Sequence, residues 1–279
     1  MTIIDVTKDN AADFEEVLGP DLAVDMSRPF FRGLAAVDDS EVCHGVFVYE
    51  LLGVDGDGDT KSAIRLLTGD NTEILTRLQE EYKDSIGDDD VKTSYFETPE
   101  SSVADFFETV GFSKKQGESR QIRLCVSDLE KIPLNRKGKL PGYIQNMQDV
   151  SVLQYRNFVK KLLIKGTRGS LEDLAYLPLN WFDREASCCS ISDDKIDGIF
   201  LIRKTPSGEL HPMLYTAFGP DFLKNLGFML VHTINYVIEN YPPETPIVIN
   251  RHNKEVLALT QKLLSGYKGV SIFSGTRDE

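Results

Sequence analysis

Cys43, Cys125, Cys188 and Cys189 are the residues best suited to hold a metal or to form a redox couple. They lack C-x-x-C spacing, and two of them are adjacent, which suits neither a zinc site nor a disulfide framework. Cys188-Cys189 reads as a pair in a strand, one thiol pointing inward and its neighbour outward, because side chains alternate. The run Asp55-Gly56-Asp57-Gly58-Asp59 has the acids of a calcium loop. An EF-hand loop also needs Gly at its sixth place and Glu at its twelfth, and those places hold Thr60 and Leu66. A solvated hairpin loop accounts for it better. The remaining concentration of chemistry is basic. Residues 131–168 carry nine Lys or Arg and a single acid, Asp149. Such a segment suits phosphate groups, or the covering of an acidic neighbour.

These residues sit in a chain of 279 residues with 41% hydrophobic and 27% charged content, ordinary values for a globular protein. Fifteen Phe and ten Tyr are enough for more than one core. No stretch approaches the ~18 apolar residues of a membrane span. The start, MTIIDVTKDNAAD, lacks the basic and apolar regions of a signal peptide. The expectation is a cytoplasmic protein with no metal and no membrane partner. The net charge of −13 is uneven: residues 1–130 hold 29 acids against 12 bases, and the rest hold 15 against 19. That balance disfavours DNA as a partner and leaves a small phosphorylated ligand more at home in the second half.

Hydrophobic periodicity sets out the elements that must position these groups. A strand over Ile3–Val6 leads to a helical stretch around Ala12–Leu18, then to strands at Gly33–Val37, Val42–Leu52 and Ser62–Thr68. Ile74, Leu78 and Tyr82 recur at helical spacing. A strand at Val91–Phe96, a helix at Ser101–Val110 and a strand at Arg120–Val126 follow. The second half repeats the order. Helices at Val152–Ile164 and Leu171–Leu177 precede strands at Ser187–Ile191, Gly198–Arg203 and Pro212–Phe218. A long helix with Leu230, Ile234, Val237 and Ile238 on one stripe then leads to the strand Ile247–Ile249 and a helix at Lys254–Leu264. The expected organisation is a domain at 1–130, a basic linker at 131–150 and a second domain at 151–279. Both are copies of one α/β unit, α+β with a mixed sheet by the stricter definition.

The order β-α-β-β-β-α-β-α-β resembles the GNAT superfamily of acyl-CoA N-acyltransferases, and two stretches carry the resemblance. Val91–Phe112 looks like that family's strand–helix segment ending in Gly-Phe. The places of its Asn, small residue and Tyr hold Glu100, Val103 and Phe107, ahead of Gly111-Phe112. The family Tyr often protonates the departing thiolate, and Phe107 has no hydroxyl to do so. Phe106, Phe107 and Phe112 read instead as core aromatics.

In the second half, Pro220–Leu230 looks like the family's loop for the coenzyme A pyrophosphate, where backbone N–H groups at a helix start meet phosphate oxygens. Lys224 stands at its Arg or Gln place, Gly227 at its first Gly and Met229 at its second, with Leu223 as an extra residue. Met229 would either obstruct the phosphates or point into the core. Downstream, Asn253 matches the family Asn, while Thr260 stands at its Tyr. Tyr267, Tyr215 and His252 could substitute, and nothing local separates them from structural residues. The first half has no comparable loop, since Asp70 and Glu73 stand where phosphates would sit.

The resemblance implies two tandem GNAT-like domains and acetyl transfer from acetyl-CoA to a primary amine on a small molecule or peptide. Acetyl-CoA would bind the second domain through Phe218, Lys224, Asn225, Leu226, Gly227, Phe228, Met229 and Asn253. Its arm would run along the strand ending Thr216-Ala217-Phe218, and its pyrophosphate would meet the N–H groups from Lys224 to Met229. The acidic first domain would be a degenerate copy suited to a cationic acceptor. Two other readings stay open: a catalytically inactive binding or regulatory protein of this fold, and transfer from an aminoacyl-tRNA.

Overall fold

The computed structural model describes residues 1–52, 60–134, 139–164, 177–251 and 254–279, which form two compact units. Unit 1 comprises Met1–Arg120 with Gly269–Glu279, and unit 2 comprises Gln121–Lys268.

Unit 1 begins with β1 (Thr2–Val6), a 3-10 turn (Ala11–Phe14) and α1 (Glu15–Asp25), which is broken at Gly19 and restarted by Pro20. The antiparallel strands β2 (Phe31–Val37), β3 (Cys43–Leu52) and β4 (Thr60–Gly69) follow. Then come α2 (Thr72–Asp88), β5 (Val91–Thr98) and α3 (Ser101–Thr109). The last strand of the chain, β12 (Val270–Asp278), completes the order β1-β2-β3-β4-β5-β12. Side chains alternate across this sheet as a two-faced strand requires. On β3, Phe47 and Tyr49 join α2 and α3 in one core, while Val46 and Val48 join Phe14 and Leu18 in the other. Helix α2 buries Ile74, Leu78, Tyr82 and Ile86 at the spacing of one helix face. Its start is capped by Asn71, whose side chain accepts the Ile74 N–H at 3.1 Å. Phe107 is fully buried and stacked on Phe96 at 4.5 Å. Gly111, at φ +95°, turns the chain back so that Phe112 packs on both rings. Phe106, Phe107 and Phe112 are all buried in this core, as their spacing implies.

Unit 2 holds the second part of β6 (Lys115–Cys125), α4 (Val126–Leu129), β7 (Ile144–Asn146) and α5 (Val152–Ile164). After them come β8 (Cys188–Ser192), β9 (Lys195–Lys204), β10 (Leu210–Ala217), α6 (Phe222–Asn240), β11 (Pro246–Asn250) and α7 (Lys254–Leu263). Strand order is β6-β11-β10-β9-β8-β7. In each unit a long helix, α2 or α6, joins two parallel strands, β4 to β5 or β10 to β11. The repeat anticipated from element order is therefore present in the backbone.

Several expectations move. The boundary between units falls inside β6, at Arg120/Gln121, and the last residues of the chain belong to unit 1. Register explains the second shift, because β12 pairs with β5 from Phe273↔Thr98 to Asp278↔Thr93. The segment expected as a linker is largely part of unit 2. Ile132, Ile144, Met147 and Val150 are buried there, and β7 pairs with β8; positions 135–138 lie outside the described residues. Cys188 and Cys189 do point to opposite faces, but both are fully buried, because unit 2 packs a core on each side of its sheet. The loop at 53–59 and the expected helix at 171–176 lie outside the described residues.

Candidate functional site

In unit 2, the parallel pairing of β10 with β11 is confined to Leu210↔Ile247. Beyond it β10 continues to Ala217 without β11 beside it, so the two strands diverge toward the start of α6. Gly219, at φ +94°, makes the turn from strand to helix. Helix α6 begins at Phe222, has no acid in its first turn, and its cap residue Asp221 makes no side-chain cap hydrogen bond. The N–H groups of a first turn have no intrahelical acceptor. Here those are Phe222, Leu223 and Lys224, whereas the Asn225 N–H already donates to the Asp221 carbonyl at 3.0 Å. The groups able to meet a phosphate therefore begin at Phe222 and share only Lys224 with the Lys224–Met229 range expected from sequence.

The side chains of this segment divide by role. Lys224 is exposed, its ammonium 5.8 Å from the centre of the Phe228 ring. Gly227 is exposed, and a Cβ added there would meet nothing within 4 Å. Met229 is fully buried and turned into the core, where its Cε would lie 2.9 Å from a Cβ added at Gly198. It does not obstruct the helix start. Asn225 is buried and accepts the Tyr143 hydroxyl at 3.3 Å. The Leu226 carbonyl accepts the Tyr215 hydroxyl at 2.6 Å. Phe218 closes the end of β10, 5.6 Å from the Phe158 ring and 4.9 Å from the Lys161 ammonium. Asn253 and His252 lie outside the described residues.

Hydroxyls that could protonate a leaving group are committed elsewhere. Thr260, at the family Tyr place, is buried; it accepts the Arg251 Nε–H at 2.8 Å and donates to the Val256 carbonyl at 2.7 Å. Burial pushes the Tyr215 phenol well above its ordinary range. Burial and then the Asp128 carboxylate raise Tyr267.

Unit 1 has the same divergence with a different lining. Parallel pairing of β4 and β5 runs from Thr60↔Val91 to Ile64↔Phe96 and then stops. The opening beyond is a cleft of about 1620 Å³. Its helix start differs from that of α6, since the Asn71 side chain caps α2 and Glu73 stands in its first turn, whereas the only acid at the start of α6 among the described residues is the cap residue Asp221. Asp70 bonds His44 Nδ1 at 2.8 Å, and Asp38 bonds His44 Nε2 at 3.1 Å. The Asp70 and then the Asp38 hydrogen bonds raise the His44 pKa. This histidine between two carboxylates has no signature in sequence spacing, because its partners come from two separate turns. Buried Glu50 is bonded by Arg65 at 2.5 and 3.0 Å and by Arg28 at 2.9 Å. Among the described residues, no group of three or more His, Cys, Asp or Glu is placed to hold a metal ion. No helix among them is long and apolar enough to cross a membrane.

No family model matches the sequence, and no curated protein matches it. Solved structures do. The chain is similar to a tandem GNAT protein from the clavulanic acid biosynthesis pathway, at TM-score 0.72 and 11% identity over 99% of this chain and 98% of that one. It is similar to the GCN5-related glucosamine N-acetyltransferase region of a fungal multi-domain β-N-acetylglucosaminidase, at TM-score 0.67 and 10% identity. That match covers 99% of this chain and 38% of the other. A GCN5-related N-acetyltransferase from Kribbella flavida matches at TM-score 0.54 and 10% identity, over 99% of this chain and 71% of that one. At such identities the likeness establishes the fold, a tandem GNAT architecture, and leaves activity to be argued from the site.

Proposed function

We propose that this chain is an acyl-CoA-dependent N-acyltransferase that takes acetyl-CoA in unit 2 and passes the acetyl group to a primary amine of a small molecule or peptide. The observation that carries this reading is the start of α6: uncapped, free of acids in its first turn, and flanked by exposed Lys224 and Gly227. The N–H groups of Phe222, Leu223 and Lys224, with the Lys224 ammonium, would hold the pyrophosphate through the positive end of the helix dipole. The exposed surface at Gly227 lets an anion approach the backbone. The part of β10 running to Ala217, unpaired on its β11 side, offers backbone groups to an extended arm. When bound, acetyl-CoA supplies an activated acyl group on a thiol leaving group.

That leaving group shapes the rest of the chemistry. A thiol ionises near pH ~8.5, so its thiolate departs without the full proton donation an alkoxide needs. The commitment of Thr260 to Arg251 is therefore compatible with turnover, slower than in a site with a free phenol. The amine must reach the site unprotonated, its proton passing to water.

The test is release of free thiol from acetyl-CoA in the presence of a panel of primary amines, compared with Lys224→Glu. Amine-dependent release that Lys224→Glu weakens at least tenfold in kcat/KM, about 1.4 kcal/mol, supports the reading. A second reading rests on the hydroxyl-free Phe107 and the tied Thr260: a protein that binds acyl-CoA without turning it over. Acetyl-CoA binding with no thiol release for any amine would favour it.

A further inference from the structure

Helix α5 of unit 2 is apolar on two faces, and only one of them meets the core. Tyr155, Phe158, Val159 and Leu162 are buried together in one of the unit's cores. The opposite face holds four more large aliphatic side chains: Val152 is 58% exposed, Leu153 69%, Leu163 38% and Ile164 75%. They form one pair at each end of the helix, ~16 Å apart at 1.5 Å per residue. Between the pairs, on the same face, stand Arg156 and Lys160, both exposed. Among the described residues neither cation has an ion-pair or hydrogen-bond partner for its side chain. Single exposed aliphatic residues are ordinary, but four framing two unpaired cations mark an interaction surface.

The width and charge of this face say what covers it. At ~100° per residue, the order round the helix is Val152, Leu163, Arg156, Lys160, Leu153, Ile164, an arc of about 120°. A partner helix would cover only a narrow seam, and a seam through Leu153 and Ile164 would take Asn157 and Lys160 into the apolar contact. A broad, soft surface can take all six side chains at once. The neighbouring acids lie beyond the edge of the arc: the Asp194 carbonyl accepts the Gln154 amide at 3.3 Å, and Asp197 pairs with Lys161 at 3.7 Å. We propose that α5 lies along an anionic lipid surface, its four aliphatic side chains dipping among the acyl chains while Arg156 and Lys160 meet the charged headgroups. The expectation of no membrane partner rested on the lack of a spanning segment, and a helix lying in the interface needs none. Residues 131–279, which include α5, hold 15 acids against 19 bases, and charges farther than ~8 Å from the contact are screened at physiological salt. This inference is independent of acyl transfer.

The test is co-sedimentation of the full chain with vesicles of phosphatidylcholine and phosphatidylserine, compared with vesicles of phosphatidylcholine alone, at physiological salt. Binding should be at least tenfold weaker on the neutral vesicles and should fall as salt rises. Arg156→Gln with Lys160→Gln should weaken binding to the mixed vesicles at least tenfold, from about fivefold per cation. Leu153→Ser with Ile164→Ser should weaken it by a similar factor, about tenfold. Lys8→Gln with Lys92→Gln, which removes two exposed cations of unit 1, should change it less than about twofold. All six substituted positions are exposed, so far-UV circular dichroism and Tm should match the parent. No sedimentation with the mixed vesicles, equal binding to the neutral ones, or equal losses in the two cation pairs would overturn the proposal. Saturable binding of poly-glutamate that depends on Arg156 and Lys160, without vesicle binding, would assign the face to an acidic polypeptide and overturn it as well.

Discussion

Tyr82 joins the two strands whose divergence makes the cleft of unit 1, and its hydroxyl is the place to test that architecture. Ser62 on β4 faces Ser94 on β5 in the paired stretch just below the opening. The Tyr82 hydroxyl lies 2.8 Å from the Ser62 Oγ and 2.6 Å from the Ser94 Oγ, and all three side chains are fully buried. Burial pushes the phenol up to about 12, so it stays protonated at any working pH. The ring itself stacks on Phe47 at 4.4 Å, a contact that Tyr82→Phe preserves. The substitution therefore removes two hydrogen bonds worth ~1 kcal/mol each and leaves two serine hydroxyls to find other partners, for a cost of about 2–3 kcal/mol. Removing all three hydroxyls, with Ser62→Ala and Ser94→Ala added, leaves no orphaned group and should cost within about 1 kcal/mol of the parent. The triple variant is thus more stable than Tyr82→Phe alone, a coupling of about 1–2 kcal/mol. Urea unfolding followed by far-UV circular dichroism measures all the variants, with an unchanged slope confirming that only stability has moved. A Tyr82→Phe cost below about 0.5 kcal/mol, or a triple variant as unstable as the sum of its parts, would refute this account of the β4–β5 junction.

Two further predictions concern other parts of the chain. The hydrogen bonds from His44 to Asp70 and then to Asp38 raise its pKa, so their stabilisation is complete below the unfolded value of ~6.5 and fades as pH rises through the higher folded value. The NMR titration midpoint of His44 should lie above that reference and fall back toward it in Asp70→Asn; a midpoint at or below the reference in the parent chain contradicts the clasp. Met229 is core, so Met229→Ala should cost about 2–4 kcal/mol in urea unfolding while acetyl-CoA affinity stays within about twofold. A gain in affinity with little loss of stability would instead show that Met229 was obstructing the ligand.

Much of the fold was legible because its signals are local. The stripe of Ile74, Leu78 and Tyr82 announced α2, that of Leu230, Ile234 and Val237 announced α6, and alternation on β3 gave a two-faced strand. What stayed hidden depends on partners far away in sequence. Strand β12 reads as Ser, Ile, Phe, Ser, Gly and Thr with charges at its end, a weak pattern locally, and it is held by β5, more than 170 residues earlier. The first residues of β6 are polar, and the unit boundary inside that strand followed from neither composition nor charge. The segment around Gly227 was legible from its resemblance to a phosphate-binding loop. The direction of Met229 was not, because only packing against Gly198 decides it. The acidity of the first half was visible from counting. That Glu50 is paired with Arg28 and Arg65, and His44 with Asp70, became visible only in three dimensions.

Binding of acyl-CoA by unit 2 at the start of α6 would show in thermal unfolding with and without acetyl-CoA. A ligand that binds only the native state raises the midpoint by mass action, ~2.7 kcal/mol at a hundredfold excess over its dissociation constant. The account predicts a clear upward shift for the parent chain at about 1 mM acetyl-CoA, and none for Gly227→Glu, whose carboxylate would stand on the exposed surface where the phosphates approach. Because a side chain at Gly227 meets open space, that variant should match the parent when no ligand is present. No shift in the well-folded parent, or an equal shift in Gly227→Glu, would contradict the account.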